Sequence, residues 1–441
     1  TQLHKKLTMK KLILIATAAV MMTSFGASAK KEKQTKIVNP ADMEIRREIA
    51  ATPEKSGGIY YAYPYSTDSL APVPAGFEPV YISHYGRHGS RWHTSAKLHD
   101  NTLKVLQKQY AAGNLTAEGE EVMKLVEICR DHTKGHIGEL SALGERQHKA
   151  IATRMCERFP SLFKDGDVIV ARSSTEPRCI ISMAAFSEAL KEYNPRLELQ
   201  RHATPGDMNF IAFHTQEALD IYKKPQEWKI PYDKACDSLY QCKATASRLF
   251  RDPSKIKKLP QVMKDLHHVA IAVQNVDGLD VNLLTHFNHE DLYNLWKGEA
   301  YRQYVRHGNS VDGKRNGPQS SKNLMKDILD CADESLAGKR TAVDLRFGHD
   351  VFLLRQLALM GIEGSDDEAR GIDEASRVWQ EYRLTPMAAN LQITIFRNAK
   401  GEEIATVLLN ERPAKIHGVK EYAPGYYRWC DLNAKWRKTL E

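Results

Sequence analysis

The sequence predicts an α/β fold: a largely parallel sheet flanked by helices, with an inserted helical subdomain. Strand-like runs such as "EPVYIS", "DVIVARSS" and "AVDLRFG" end in polar turns, and each is followed by a helical pattern. This alternation is typical of parallel sheets. Residues 201–334 instead carry amphipathic segments such as "DLYNLWKGEAYRQYV" and no strand-like run, which predicts the helical insertion.

The same patterns divide the chain into five parts. Residues 1–29 form an N-terminal extension with a signal peptide, and residues 30–75, rich in Tyr, Pro and Gly, are predicted to be an extended arm around the core. Residues 76–200 and 335–441 make up the two portions of the α/β core. Residues 201–334 are the helical subdomain between them.

The N-terminus has the pattern of a bacterial secretory signal. Lys10 and Lys11 precede an apolar run from Leu12 to Met22, and small residues at 27–29 offer a cleavage site. The run is too short to span a membrane, so the mature chain is expected to have no membrane span. We expect secretion to the periplasm, with the outer surface or the extracellular medium as alternatives.

Charge and cysteine count limit the partners and the covalent links. The net charge is +8 at pH 7, and loss of residues 1–29, with four lysines and no acid, lowers it to +4. This small charge argues against nucleic-acid binding, although local basic clusters still attract a small polyanion. The seven cysteines leave at least one thiol free, and their spacing gives neither a pairing nor an oligomeric state.

Three predicted strands end in charged turns. The turns are "RHGSR" at residues 87–91, "SSTEPR" at 173–178 and "GHD" at 348–350. In open α/β sheets, ligand sites form beyond the carboxyl ends of the strands, so we expect the turns to converge. The site would then hold three arginines, two histidines and one acid.

These residue types indicate phosphate chemistry. The planar fork of donors on arginine matches phosphate oxygens, so Arg87, Arg91 and Arg178 predict a phosphate pocket. Neighbouring cations favour a neutral His88, which is a competent nucleophile towards phosphorus. A bound phosphate disfavours ionised Asp350, whose acid form can serve the leaving oxygen. The arginines supply the positive field, so no cofactor and no metal are expected.

This set of residues resembles the histidine phosphatase superfamily, in its acid phosphatase and phytase branch (clade 2). Residues 87–91 match the RHGxR loop of that branch, Arg178 stands where its third phosphate arginine does, and residues 349–350 match its HD pair. The segment "LSALGERQ" is similar to its "LTxxGxxQ" helix start. Downstream, "FGHDVFLLRQLALMGI", "PMAANLQITIF" and "VLLNERPAKI" resemble the multiple inositol polyphosphate phosphatases most.

The resemblance extends from about Phe77 to Asn410 and implies a histidine phosphatase-like fold and a role for each site residue. It implies that His88 forms a phosphohistidine and that Asp350 protonates the leaving alcohol and then activates water. The phosphate would be bound by four side chains, those of Arg87, Arg91, Arg178 and His349.

The implied function is an exported phosphoric monoester hydrolase, with inositol polyphosphates as the favoured substrates. One departure keeps a broad-specificity acid phosphatase for sugar phosphates or other small monoesters open: the inositol polyphosphate subgroup usually has His-Ala-Glu where this chain has His349-Asp350. A phosphomutase, a metal-dependent hydrolase and a non-catalytic phosphate-binding protein are further alternatives. Basic residues for a polyanion are expected in "KKPQEWK", in "DGKRNGPQSSK" and at residues 46–47.

Three other patterns have simpler structural explanations. The second "RHG", at residues 306–308, follows a helical pattern, so a helix end with a glycine stop is preferred over a catalytic role. Cys242 and Arg248 have the spacing of cysteine phosphatases, but the residues between them predict a helix. His286 and His289 resemble a zinc cluster, yet their place at a helix start favours capping.

Overall fold

A mixed sheet lies at the centre of the computed structural model, which describes residues 39–64 and 70–441. The predicted signal peptide lies outside these residues. The strands are β1 (Phe77–Arg87), β2 (Val168–Ser173), β3 (Glu198–His202), β4 (Val343–Gly348), β5 (Asn390–Asn398), β6 (Glu403–Leu409), β7 (Arg412–Pro413), β8 (Glu421–Ala423) and β9 (Tyr426–Arg428). Their order is β3-β2-β4-β1-β5-β6-β9-β8, and β7 pairs with β6.

Parallel pairing is found among the four strands β3, β2, β4 and β1. From β1 onward, β5, β6, β9 and β8 pair antiparallel. The short connection between β5 and β6 reverses the chain, and a parallel pair would need a long crossover in its place. The predicted α/β class is confirmed, and the sheet is mixed.

The helices flank this sheet in chain order. Before β4 they are α1 (Pro40–Ala51), α2 (Ala96–Ala111), α3 (Ala117–Thr133), α4 (Ala142–Arg158), α5 (Pro177–Tyr193), α6 (Met208–Ile211), α7 (Gln216–Lys223), α8 (Lys229–Leu239), α9 (Lys243–Leu249), α10 (Leu259–Ala272), α11 (His289–His307), α12 (Asn316–Gln319) and α13 (Lys322–Leu336). After β4 they are α14 (Asp350–Met360), α15 (Gly371–Val378), α16 (Glu381–Leu384) and α17 (Trp429–Leu440).

Both faces of the central strands are buried, as expected for a sheet covered by helices. Along β1, Tyr81 and Tyr85 belong to one hydrophobic cluster, whereas Ile82 belongs to the other. The second cluster includes Met155 of α4 and Phe186 of α5. Because side chains alternate between the faces of a strand, this pattern places α4 and α5 on one face and the larger helical cluster on the other.

An ion network joins the sheet to α13. Arg346 of β4 is fully buried and donates to Asp327 of α13 at 2.6 Å and to Ser83 of β1 at 2.9 Å. Arg172 of β2 donates to the same carboxylate at 2.9 Å. The pKa of Asp327 lies below its usual value: burial opposes ionisation, but the two guanidinium groups outweigh it. The two arginines therefore hold this helix over three adjacent strands.

Between β3 and β4 the described chain is helical, from α6 to α13. Ala41–Glu441 form one compact unit, so the boundaries proposed for a separate subdomain remain a prediction. Among the helices of the described residues, none has both the length and the apolar character that a membrane crossing requires.

The predicted extended arm is wrong over Pro40–Ala51, which form α1; its residues 30–38 and 65–69 lie outside the described residues. Ile45 and Ile49, one helical turn apart, are buried against the core. The glycines that suggested an extended arm lie after this helix. There, Pro53–Tyr60 form 3₁₀ turns with a kink at Gly58. Ser56 in this segment hydrogen-bonds His267 of α10 at 2.9 Å.

All seven cysteines are free thiols, and six of them are buried. Burial raises the pKa of Cys129, Cys156 and Cys179 to about 12. A thiol with so high a pKa is a poor nucleophile at neutral pH. These cysteines therefore act as small apolar groups in the core.

Candidate active site

The three charged turns meet at the carboxyl ends of β1, β4 and β2. Arg87 pairs with Gly348 in the register of β1 and β4, and Ser173 pairs with Phe347 in the register of β2 and β4. The His88 N–H donates to the Gly348 carbonyl at 2.9 Å. This register brings the predicted site residues together, as expected for open α/β sheets.

Arg87 is fully buried and is anchored by carbonyl groups. One terminal nitrogen, Nη1, donates to the carbonyls of Ile59 and Thr385 at 2.5 and 2.7 Å. Nε lies 3.7 Å from Asp350 Oδ1, and neither Nε nor Nη2 has a hydrogen-bond partner among the described residues. Two nitrogens of a buried cation, with three N–H groups between them, are therefore available to an anion.

His88 is buried, and its tautomer is fixed by one contact. Nδ1 lies 2.9 Å from the Gly89 carbonyl; because a carbonyl only accepts, Nδ1 carries the proton and Nε2 keeps its lone pair. Burial first, and then Arg87 and Arg91, hold the pKa of His88 well below its usual value. The imidazole is thus neutral well below the usual pKa of histidine, and a neutral imidazole can act as a nucleophile.

Arg91 and Arg178 complete the cationic surroundings of His88. Arg91 donates to the Trp92 carbonyl at 2.9 Å, and its guanidinium lies 5.1 Å from the ring centre of Tyr60. Arg178 is in the first turn of α5, where Nη1 donates to Glu176 at 2.9 Å. The Nε atoms of both arginines are buried without a partner in the described structure, so each retains a donor for a phosphate oxygen.

His349 and Asp350 stand at the N-terminus of α14. The rings of His88 and His349 have centres 5.6 Å apart, and His349 Nε2 lies 3.3 Å from Ser174 Oγ. Burial and Arg178 lower the pKa of His349 to about 4. Burial opposes ionisation of Asp350, but Arg87 and His349 outweigh it and lower its pKa. The acid form of Asp350 therefore depends on negative charge brought by the substrate.

The loop after His88 is held by a close backbone contact with α4. A Cβ atom at Gly89 would lie 2.5 Å from the carbonyl oxygen of Gly144, and one at Gly144 would lie 2.3 Å from that of Ser90. Both positions require glycine because the two backbones approach too closely for a side chain. Backbone conformation is not the reason, since neither glycine has a positive φ. This explains why the "RHGSR" and "LSALGERQ" segments each need their glycine.

Polar contacts then fix Ser90 on both sides. The side-chain amide of Gln147 accepts from the Ser90 N–H and donates to Ser90 Oγ, both at 2.9 Å. Ser90 Oγ donates to Asn275 Oδ1 at 2.8 Å. Ser141 caps α4 and donates to the Ser90 carbonyl at 3.0 Å. The sequence pattern pointed to Ser141 and Gln147, whereas no local signal identified Asn275.

A basic wall on α10 and α11 is connected to Arg91 through Tyr60 and His93. We use this name for Lys264, His268, Arg302 and Arg306. Rings link it to the loop after His88: the ring centres of Tyr60 and His93 are 5.6 Å apart, and those of His93 and His268 are 6.5 Å apart. Burial and Arg302 lower the pKa of Lys264, and burial lowers that of Arg306 to about 10. The carboxylate of Glu299 pairs with two wall residues: its Oε2 lies 3.7 Å from Lys264 Nζ, and it also accepts from Arg302.

The basic residues expected from the sequence are a different set. Four of the eight are paired with acids at the surface, in the pairs Arg46–Glu290, Lys224–Asp220, Lys229–Asp233 and Arg315–Glu368. The wall residues stand on helices without any basic run in sequence, so the linear pattern did not single them out. Their proximity results from the packing of α10 against its neighbours.

The zinc and cysteine patterns have the structural roles expected. Cys242 is buried and precedes α9, which is helical over Lys243–Leu249. His286 Nδ1 lies 3.0 Å from Glu118, and Asn288 caps α11 by accepting from the Glu290 N–H. Both patterns are thus accounted for by helix starts.

A methyl group at residue 89 tests the contact between the catalytic loop and α4. In Gly89→Ala the loop must shift, because the new Cβ would lie 2.6 Å from Gly144 Cα. A displacement near 1 Å costs on the order of a hundredfold in rate, so we expect kcat/KM for an aryl phosphate to fall by about that factor in a protein that still folds. The control is Gly206→Ala, whose Cβ would lie 3.5 Å from its nearest neighbour, Thr204 Oγ1. Equal rates in the two variants would contradict this account of the loop.

Comparison with known proteins agrees with this geometry. A sequence model of the histidine phosphatase superfamily (branch 2) matches residues 86–410. Multiple inositol polyphosphate phosphatase 1 of Gallus gallus is 26% identical over 396 residues, which cover 84% of each chain.

Solved structures share the fold. Multiple inositol polyphosphate phosphatase of Bifidobacterium longum in complex with phosphate has a TM-score of 0.75 at 18% identity, covering 88% of this chain and 98% of that one. The phytase of D. castellii has a TM-score of 0.67 at 14% identity, covering 88% and 85%.

The matched residues 86–410 include all six predicted site residues. The predicted enzyme class, a phosphoric monoester hydrolase, is confirmed by this match. The chain therefore belongs to the histidine phosphatase superfamily, branch 2.

Proposed function

We propose that the protein is an exported histidine acid phosphatase that hydrolyses inositol polyphosphates through a phosphohistidine intermediate. One observation carries the proposal: His88 is neutral, its Nε2 is unprotonated, and it is buried among Arg87, Arg91 and Arg178. A binding protein needs the arginines but not a nucleophile with a fixed tautomer.

In the first step, His88 Nε2 attacks phosphorus and the bond to the alcohol oxygen breaks. The arginines bind the equatorial oxygens, where negative charge is stabilised in the transition state. Asp350 passes a proton to the leaving oxygen; a phosphate monoanion bound at acidic pH brings that proton into the site. The products are an alcohol and phosphohistidine.

In the second step, water attacks phosphorus and the N–P bond breaks. Asp350, ionised after the first step, accepts the proton of the water. His88 returns to its neutral form, and inorganic phosphate leaves. The positive field comes from the three arginines, so the proposed mechanism uses no cofactor.

The basic wall supports a polyanionic substrate. Three fixed cations, Lys264, Arg302 and Arg306, face one carboxylate, Glu299. A small monoester has no second phosphate for these cations, whereas each phosphate of an inositol polyphosphate can bind one. The chicken relative and the B. longum structure, named as multiple inositol polyphosphate phosphatases, support the same substrate class. The His349-Asp350 pair favours the alternative, a broad-specificity acid phosphatase.

Replacement of the nucleophile tests the mechanism. We expect the wild-type protein to release phosphate from inositol hexakisphosphate and from an aryl phosphate, with activity that persists below pH 6.5. The neutral form of His88 is lost only as pH falls through its pKa, and this pKa is lowered. His88→Ala should reduce kcat on the order of a thousandfold or more, and a chelator should have no effect. His289→Ala, at an exposed histidine, is the control. A full rate in His88→Ala, or loss of activity with the chelator, would exclude this mechanism.

Removal of one wall cation tests the substrate. Lys264→Met should raise KM for inositol hexakisphosphate roughly tenfold, the usual effect of losing a hydrogen bond to a charged group, and leave the aryl phosphate unchanged. Lys257→Met removes an exposed lysine nearby in sequence and should change neither. If the wild-type protein cleaves only the aryl phosphate, the broad-specificity alternative is correct.

Processing tests export. Expression of the full chain in a bacterial host should yield periplasmic protein that begins at Lys30, since cleavage follows the small residues at 27–29. Sequencing of the N-terminus checks this. Protein that remains in the cytoplasm with residues 1–29 intact would contradict the proposal.

A further inference from the structure

The second Arg-His-Gly triplet ends α11, as expected, yet its histidine is deeply buried. His307 is the last residue of α11 and is 1% exposed, and Gly308 follows as the helix cap. His307 contacts Tyr222 of α7 and Arg355 of α14. The triplet thus takes part in a contact between three helices beside the active site.

The direction of the hydrogen bonds in this contact is fixed by Arg355, which can only donate. Its Nε donates to His307 Nδ1 at 3.2 Å, and its Nη1 lies 2.9 Å from His214 Nδ1, which must accept. Burial, followed by Arg355, holds the pKa of His307 well below its usual value. The ring is therefore neutral, with its single proton on Nε2.

That proton determines what Tyr222 can do. His307 Nε2 lies 3.3 Å from the Tyr222 hydroxyl, so the hydroxyl oxygen accepts and its own hydrogen is available to another group. Among the described residues, no carbonyl or carboxylate accepts a hydrogen bond from it. Arg306 of the basic wall lies over the tyrosine ring, 4.7 Å from its centre. The ring is held in place while the side chain remains 42% exposed.

A series of contacts connects Tyr222 to the predicted site residues. The ring of Phe352 lies 6.3 Å from that of His349 and 4.9 Å from that of His214, so a continuous set of contacts leads from the catalytic end of α14 to Arg355. Asp350, Arg302 and Arg306 all act on the Tyr222 hydroxyl electrostatically. Tyr222 is therefore within electrostatic reach of Asp350 as well as of the basic wall.

Arg355 adds a buried positive charge at this position. It is fully buried, and no ion pair formed by the described residues involves it. It donates hydrogen bonds to two neutral histidines, His214 and His307, and the Tyr222 hydroxyl lies beside it. A buried cation without a carboxylate favours a nearby anion.

We infer that Tyr222 donates a hydrogen bond to a phosphate group of the substrate other than the one transferred to His88. His307 and Arg355 are positioning residues, since they orient the hydroxyl hydrogen and do not themselves touch the substrate. This inference rests on the proposed function and adds a specificity-determining residue to it. A phosphate oxygen is the acceptor that both the oriented donor and the charge of Arg355 favour.

Removal of the hydroxyl alone tests the inference. Tyr222→Phe keeps the ring and its contact with Arg306. We expect KM for inositol hexakisphosphate to rise roughly tenfold with kcat changed less than about twofold, because the lost contact is equal in the ground and transition states. Kinetics on an aryl phosphate, which has no second phosphate, should be unchanged. Tyr110→Phe, at a tyrosine 53% exposed at the end of α2, is the matched control and should leave both substrates unaffected.

A second variant tests the positioning role. His307→Gln should raise KM for the hexakisphosphate in the wild-type background but have no further effect in the Tyr222→Phe background. Additive effects of the two changes would show that His307 does not act through Tyr222 and would overturn its role. If His307→Gln fails to fold, the comparison of Tyr222→Phe with Tyr110→Phe decides the inference.

The outcomes separate this inference from the proposed function. An unchanged KM in Tyr222→Phe, or an equal loss on both substrates, would overturn the inference while the loss of activity in His88→Ala still supports the mechanism. A wild-type protein that cleaves the aryl phosphate alone would also overturn it. Full activity in His88→Ala would instead refute the proposed function itself.

Discussion

The site depends on buried positive charges that outnumber the carboxylates beside them, Asp350 and Glu176. Arg87 is anchored by two backbone carbonyls and Arg91 by one, and Arg355 is anchored by neutral histidines. A carbonyl fixes a guanidinium through its dipole but does not cancel its charge. Asp350 is the acid within this set. The surplus charge keeps His88 neutral and favours an anion, so one constraint accounts for both the binding and the nucleophilicity that the proposed function requires.

Burying several cations together lowers the stability of the folded protein, so the surrounding structure has to hold them in place. The anchoring carbonyls belong to Ile59 and Thr385, far from Arg87 in sequence, and Gly89 touches α4 through bare backbone. Buried cations repel one another, so only a rigid frame keeps them together. The parallel register of β1, β4 and β2 supplies that frame, and α13 is tied to it through Asp327.

Prediction failed where local pattern and long-range packing diverge. Residues 40–51 were assigned to an extended arm because the following residues are rich in glycine and tyrosine, yet Ile45 and Ile49 bury one face of a helix. Half of the expected basic residues pair with surface acids, whereas Lys264, Arg302 and Arg306 lie together because their helices pack against each other. No spacing in the sequence indicates that α10 contacts α11, so the basic wall could be identified only from the structure.

The sequence by itself determined the α/β class, the six chemical groups of the site and the strand ends that carry them. These depend on periodicity and on short motifs, which are local properties of the chain. Tertiary structure alone decided the tautomer of His88, the mixed character of the sheet, the role of Asn275 and the contact of His307 with Tyr222 and Arg355. Each of these depends on burial and on which distant groups meet, and the whole packing of the chain sets both.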